Sequence, residues 1–122
     1  MIEDYFEFLK KLALTSSVTK EIRVLREFCG TESGFIRFVV EFIDNSELHV
    51  FEHVDRNLRK TDYSYHWQDK DRKLLLRWDN APHHPEIETF PHHLHRGNKV
   101  EPAEELTFAE ALKKIESKIL KA

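Results

Sequence analysis

Histidine is the residue type in this sequence that most clearly points to chemistry. The chain of 122 residues contains eight histidines, and six of them lie between residues 66 and 95. An imidazole exchanges protons near neutral pH and also binds metal ions. The clustering therefore predicts a chemical site in this part of the chain. Together with an arginine and an aspartate of the same stretch, the candidate catalytic residues are His66, Arg77, Asp79, His83, His84, His92 and His93.

Three of these residues fit a reaction that needs no metal ion. His66 would act as a general base or acid, and Arg77 would hold a phosphate and stabilise the charge that develops in the transition state. Cleavage of RNA through its own 2′-hydroxyl group requires these two functions. Asp79 would orient a histidine. The alternative is that His66, as a single histidine within a strand, is structural.

A second interpretation of the histidines involves a metal ion. Residues 80–98 contain adjacent pairs at 83–84 and 92–93, followed by His95. Imidazoles together with a carboxylate such as Asp79 suit zinc or a similar ion. The stretch lacks a known zinc spacing such as HExxH, and neighbours on an extended chain point in opposite directions, so at most one member of each pair faces a common centre. The third alternative is that prolines and imidazole rings simply pin a long connection.

Positive charge is concentrated in the middle of the chain. Between Arg56 and Arg77 there are seven Lys or Arg and three Asp residues, whereas the whole chain has a net charge of −3. A basic segment that also contains aromatic residues and histidines suits a polyanion such as RNA. The alternative is a solvated strand edge, where lysine opposes aggregation.

Two helices and several strands are expected to position these side chains. Apolar residues at three- and four-residue spacing predict helices over about residues 2–14 and 108–120. Residues 80–98, which contain three prolines, are predicted to lack regular structure. The whole is an α+β fold, in which an antiparallel five- or six-stranded meander is flanked by an N-terminal and a C-terminal helix. Its best-defined strands are predicted near residues 22–28, 35–43, 48–54, 63–68 and 73–78.

The last two of these strands are expected to form a hairpin that decides which face each candidate residue occupies. If the turn is centred between Lys70 and Asp71, the tryptophans and tyrosines of the hairpin share one face, which belongs to the core. The other face carries His66, with Leu75 directly opposite, and Arg77. We expect the helices to cover the apolar face, so that the polar face stays partly open.

Composition excludes several classes of protein. Hydrophobic residues make up 40% of the chain, so residues 1–122 are predicted to form one domain with its own core. No apolar run approaches the roughly 18 residues of a membrane span. The single cysteine, Cys29, excludes an internal disulfide and a multi-cysteine zinc site. Acidic residues in place of a basic secretion signal at the N-terminus favour a cytoplasmic location.

Three strings of sequence carry a family resemblance. They are His66–Asp69 (HWQD), Arg77–His84 (RWDNAPHH) and Thr89–His95 (TFPHHLH). These strings resemble the TumE-like family of prokaryotic toxins, which are small proteins assigned to toxin–antitoxin pairs. The resemblance covers most of the chain from the first strand onward and is densest over residues 63–97. It implies a growth-inhibiting toxin that a cognate antitoxin neutralises, and its motifs include all the candidate residues.

Three hypotheses about function follow. In the first, the toxin is a metal-independent endoribonuclease without a cofactor, in which His66 and a loop histidine act as base and acid. The ribonuclease step is an analogy with other small α+β toxins. In the second, the His-rich loop binds a divalent metal ion and supports a hydrolase or nuclease. In the third, the protein is a non-catalytic module that acts by binding a partner.

Overall fold

The computed structural model describes residues 1–121, which form one antiparallel sheet and two helices. Helix α1 spans Ile2–Thr15 and helix α2 spans Phe108–Lys121. Each strand pairs with its neighbours in sequence, so the sheet is a meander in the order β1 to β7. The strands are β1 (Thr19–Cys29), β2 (Ser33–Phe42), β3 (Glu47–Asp55), β4 (Lys60–Gln68), β5 (Leu74–Asp79), β6 (His93–Arg96) and β7 (Lys99–Pro102).

The α+β class and the two flanking helices are confirmed, but the predicted count of five or six strands is wrong. The described residues contain seven strands, because β6 and β7 form a hairpin that begins inside the stretch predicted to lack regular structure. All three prolines of that stretch precede β6, so none of them interrupts its ladder. Gly97 adopts a φ of 59°, which suits the two-residue turn that it forms with Asn98.

Both helices pack on one face of the sheet. The ring centroid of Phe108 in α2 lies 5.6 Å from that of Phe38 in β2 and 6.0 Å from that of Tyr65 in β4. Trp67 and Trp78 are buried in the same core, as the alternation in the sequence predicts. Neither helix covers the opposite side of the sheet, which we call the open face. Its residues on the central strands include His49, Phe51, Ser64, His66, Arg77 and Asp79.

The register between β4 and β5 differs by two residues from the predicted one. His66 pairs with Arg77 and not with Leu75. The turn is longer than predicted, because the Asp69 carboxylate accepts hydrogen bonds from two backbone amides at 2.8 and 2.9 Å and Arg72 adopts a φ of 66°. A β-bulge at Leu75 accounts for the rest of the shift. Because the shift at His66 is even, His66 and Arg77 keep their predicted face. Leu75 was predicted to lie on the polar face, but it packs against the core because of the bulge.

A buried polar network connects the helical layer to the sheet. Glu52 in β3 is fully buried and accepts hydrogen bonds from the hydroxyl groups of Tyr5 in α1 and Tyr65 in β4. Lys60 in β4 donates hydrogen bonds to the Tyr65 hydroxyl and to the carbonyl oxygen of Leu106, just before α2. Burial raises the pKa of Glu52 and lowers the pKa of Lys60. The network thus holds both helices against the strands that carry the open face.

Removal of the Glu52 carboxylate should destabilise the fold. In Glu52→Ala, the hydroxyl groups of buried Tyr65 and partly buried Tyr5 lose their acceptor, so we expect the free energy of unfolding to fall by about 3 kcal/mol. Glu47→Ala is the matched control, because Glu47 lies on the same strand with its side chain 26% exposed on the other face. We expect it to cost less than about 1 kcal/mol. Urea denaturation measures both values, and equal losses would contradict the role given to the network.

Candidate active site

Two neighbouring rows of side chains run across the open face, perpendicular to the strands. Directly paired residues of adjacent strands lie about 5 Å apart and point to the same face. The first row, from β3 to β6, consists of His49, His66, Arg77 and His95. The second row lies beside it and consists of Phe51, Ser64, Asp79 and His93.

Asp79 is the buried centre of these rows. Its side chain is 4% exposed, and its Oδ2 accepts a hydrogen bond from Nε of Arg77 at 2.8 Å. Its Oδ1 accepts one from the amide of Ala81 at 3.1 Å and lies 2.7 Å from Nε2 of His93. Nε2 of His95 lies 3.6 Å from Oδ2. One carboxylate therefore fixes the orientation of residues from two strands.

His93 is held from both sides by hydrogen-bond acceptors. Its Nδ1 lies 2.8 Å from the carbonyl oxygen of Pro91, and its Nε2 faces the carboxylate of Asp79. These two contacts fix the orientation of the ring. At 2% exposure the ring has no surface that a substrate can reach.

The side chains of the two rows form one cluster, and His66 and Arg77 are its accessible part. Nη1 of Arg77 lies 3.4 Å from Nδ1 of His66, and 40% of the Arg77 side chain is exposed. Burial lowers the pKa of His66, and the positive charge of Arg77 and the neighbouring His49 lower it further. The imidazole of His66 is therefore neutral at pH 7 and can act as a proton acceptor.

His95 lies on the other side of Arg77. The two residues pair directly across β5 and β6, just as Arg77 and His66 pair across β5 and β4. Burial lowers the pKa of His95, and the nearby Asp79 only partly offsets this effect. The guanidinium group is thus flanked by two imidazoles whose pKa values are both lowered.

The four histidines predicted from the loop occupy different places. His84 joins the cluster, because its ring centroid lies 5.6 Å from that of His93. His83 is exposed at the rim of the same cleft. His92 lies on the helical side of the sheet, with its ring stacked on Tyr63 at 5.7 Å and its Nδ1 3.0 Å from the Tyr63 hydroxyl. As predicted for an extended chain, only one member of the pair 92–93 faces the cluster.

The predicted catalytic set lacks two residues that belong to this cluster. His95 alternates with His93 on the same strand, so it would have been included if residues 93–96 had been recognised as a strand. His49 lies within a strand that the sequence does predict, next to the apolar residues Leu48 and Val50. Alternation alone places it on the open face, and the signal was therefore present in the sequence.

The cluster lines an elongated cleft. One part, of about 500 Å³, extends along the open face from Arg37 and Phe51 to Arg77. A second part, of about 400 Å³, continues beyond Arg77 to His84 and His95. The shape suits an extended ligand that crosses the strands rather than a compact small molecule.

Asp79, His93 and His95 are also the residues that could hold a metal ion, since their ligand atoms lie within 4.8 Å of one another. The contact of His93 with a backbone carbonyl is typical of metal-binding histidines. However, the distance of 2.7 Å between His93 and Asp79 is that of a hydrogen bond. The bound guanidinium of Arg77 also disfavours a second cation at the same carboxylate. The Asp79 carboxylate and the His93 ring are therefore already hydrogen-bonded within the protein.

Comparison with known proteins identifies the family. A family profile described as Toxin TumE matches residues 8–119, which include the whole sheet and every residue of the two rows. The chain belongs to the TumE family of toxins. A comparison with curated proteins finds no significant match, and a comparison with solved structures finds none either. Neither helix described for this TumE-family toxin is long and apolar enough to span a membrane.

Replacement of Arg77 should raise the pKa of His66 in this TumE-family toxin. Arg77→Gln removes the positive charge beside the imidazole, so we expect the midpoint of its titration to move upward, towards the ordinary value of 6.5. NMR of the histidine ring protons measures the midpoint. Arg56→Gln is the control, because Arg56 pairs with Glu32 away from the cluster. An unchanged His66 midpoint in Arg77→Gln would contradict the coupling.

Proposed function

We propose that this toxin is an endoribonuclease that cleaves RNA without a metal ion. The observation that carries the proposal is the position of Arg77 between His66 and His95 on the open face of the sheet. A guanidinium group binds phosphate oxygens in pairs. Imidazoles on its two sides can act as general base and general acid on the same phosphodiester.

In the proposed reaction, neutral His66 accepts the proton of the 2′-hydroxyl group. The freed oxygen attacks the adjacent phosphorus, and the bond from phosphorus to the 5′-oxygen breaks. Protonated His95 donates its proton to that leaving oxygen, so the products carry a 2′,3′-cyclic phosphate and a 5′-hydroxyl group. Arg77 stabilises the extra negative charge on the phosphate oxygens in the transition state.

The other residues of the cluster position Arg77 and His95 or line the cleft beside them. Asp79 orients Arg77 directly, and it holds β6 in place through His93, so that His95 faces the same phosphate. His83 and His84 line the end of the cleft beyond Arg77, where they would contact the RNA backbone. His92, on the helical side of the sheet, has no part in this mechanism.

Membership of a toxin family supports a second element of the proposal, a cognate antitoxin. Because the cleft lies on a face that neither helix covers, a protein that occupies it would keep RNA away from Arg77. We therefore propose that the antitoxin neutralises the toxin by blocking the open face.

A metal-dependent nuclease is the second candidate function. The observation that favours it is the convergence of Asp79, His93 and His95 within 4.8 Å. In this alternative the ion would supply the charge stabilisation that the first proposal assigns to Arg77. A chelator separates the two, because it abolishes cleavage only if the metal ion is required.

Replacement of His66 should abolish both RNA cleavage and growth inhibition. Loss of a general base reduces kcat/KM by about 10²- to 10⁴-fold, so we expect a decrease of this size in His66→Ala with the fold intact. His53→Ala is the matched control, since His53 lies on the open face of β3 but outside the row of Arg77. Cleavage of a fluorogenic RNA with chelator present and growth after induction are the two measurements. A His66→Ala variant as active as the control would refute the assignment.

The pH dependence of RNA cleavage should reflect the lowered pKa values of His66 and His95. Activity requires neutral His66, which is lost as the pH falls through its pKa, and protonated His95, which is lost as the pH rises through its pKa. Since both values lie below the ordinary 6.5, the maximum of kcat/KM should lie below pH 6.5. Initial rates at low substrate concentration and constant ionic strength test this, with fluorescence as a check on folding. A maximum above pH 7 would contradict these roles.

A further inference from the structure

We infer that the open face of β1, β2 and β3 binds the unpaired bases of the RNA that is cleaved at Arg77. The inference rests on the proposed ribonuclease function and specifies its substrate as single-stranded RNA. Five residues, which we call the aromatic–arginine surface, carry it. They are Arg26, Phe28, Phe35, Arg37 and Phe51.

Aromatic rings are presented in sequence across these three strands. Phe28 is 55% exposed, and its ring centroid lies 6.1 Å from that of its cross-strand partner Phe35. Phe51, on the next strand, lies on the same face and is partly exposed. Exposed aromatic residues on an open sheet face are the usual platform for bases that are not paired with another strand.

The arginines of the surface lack the partners that a folded protein normally supplies. Arg26 and Arg37 are directly opposite each other on β1 and β2, an arrangement in which like charges destabilise the sheet. Within residues 1–121, no carboxylate lies within 4.0 Å of either guanidinium group. A phosphate between them would remove this repulsion.

Instead, each guanidinium group lies over an aromatic ring. The Cζ atom of Arg26 is 5.7 Å from the ring centroid of Phe35, and that of Arg37 is 4.1 Å from the ring centroid of Phe51. Such pairs offer a planar surface for a base and a positive charge for the neighbouring phosphate. Both groups that a single strand of RNA presents are therefore accommodated.

The aromatic–arginine surface is continuous with the candidate active site. Phe51 pairs with Ser64, which pairs with Asp79, so Phe51 and Asp79 are separated by two strand spacings, or about 10 Å. Arg37 and Phe51 line the same cleft as His66 and Arg77. A short stretch of nucleotides with its bases against the Arg26–Phe35 and Arg37–Phe51 pairs would thus place a phosphodiester at Arg77.

Binding of a non-cleavable oligonucleotide tests this inference independently of catalysis. A fluorescent RNA of about eight unpaired nucleotides, with 2′-fluoro in place of every 2′-hydroxyl group, retains its bases and phosphates and lacks the nucleophile. Phe28→Ala should raise its Kd by about fivefold or more, because one stacking contact is lost. Phe8→Ala is the matched control, since Phe8 is 54% exposed on α1, on the helical side of the sheet. We expect its Kd to equal that of the wild type.

The salt dependence of RNA binding tests whether the two arginines contact phosphates. In the double variant Arg26→Gln/Arg37→Gln, two fewer phosphates are neutralised, so the slope of log Kd against log salt should decrease by about 1.4. All the substituted side chains are exposed, so the variants should fold.

Three outcomes would overturn the inference. The first is that Phe28→Ala and Phe8→Ala bind the single-stranded RNA with equal affinity. The second is that the protein binds duplex RNA as tightly as single-stranded RNA. The third is that the variants bind RNA normally but are no longer neutralised by the antitoxin. The last would make the surface a protein-docking site. If the protein cleaves no RNA but binds it in a way that depends on Phe28, the result would support the RNA-binding role of the aromatic–arginine surface. It would refute the proposed ribonuclease function instead.

Discussion

The arrangement of the candidate active site depends on one buried carboxylate. Asp79, at the end of β5, contacts Arg77 on its own strand and His93 on the next. Its burial makes these contacts strong, because they form where water is excluded. Without the carboxylate, Arg77 would lose its fixed direction and β6 would lose its buried side-chain contact with β5. The same contacts place positive charge at the surface and negative charge beneath it, which is the polarity that a phosphodiester requires.

Much of the fold follows from local patterns in the sequence. Apolar spacing marks both helices to within one or two residues, and alternation assigns Trp67 and Trp78 to the core. The strands β6 and β7 could not be predicted in the same way, because each has only four residues and β6 follows a proline-rich stretch. Their pairing depends on the long-range contact with β5 rather than on any local preference. The buried position of Glu52 is likewise a tertiary effect.

In the candidate site too, local sequence patterns predict the face on which a residue lies, but not its partner on the neighbouring strand. His66, Arg77 and Asp79 could be placed on one face from alternation, because an error of two residues in register preserves the face. That error nevertheless hid the direct pairing of His66 with Arg77. The basic segment of residues 56–77 does not form one patch, because most of its charges lie in the turns at the two ends of β4, and Lys60 is buried. The arginines opposite each other on β1 and β2 are separated by ten residues in sequence and meet only through strand pairing.

The chemical groups at the ends of the cleaved RNA fragments test the proposed mechanism most directly. Purified toxin would be incubated with a single-stranded RNA in excess chelator, and the ends of the fragments identified by their mass. If His66 activates the 2′-hydroxyl group and Arg77 stabilises the transition state, the fragments carry 2′,3′-cyclic phosphates and 5′-hydroxyl groups. Fragments with 3′-hydroxyl and 5′-phosphate ends, formed only when a divalent metal ion is present, would contradict the account. They would show that water activated by a metal ion is the nucleophile.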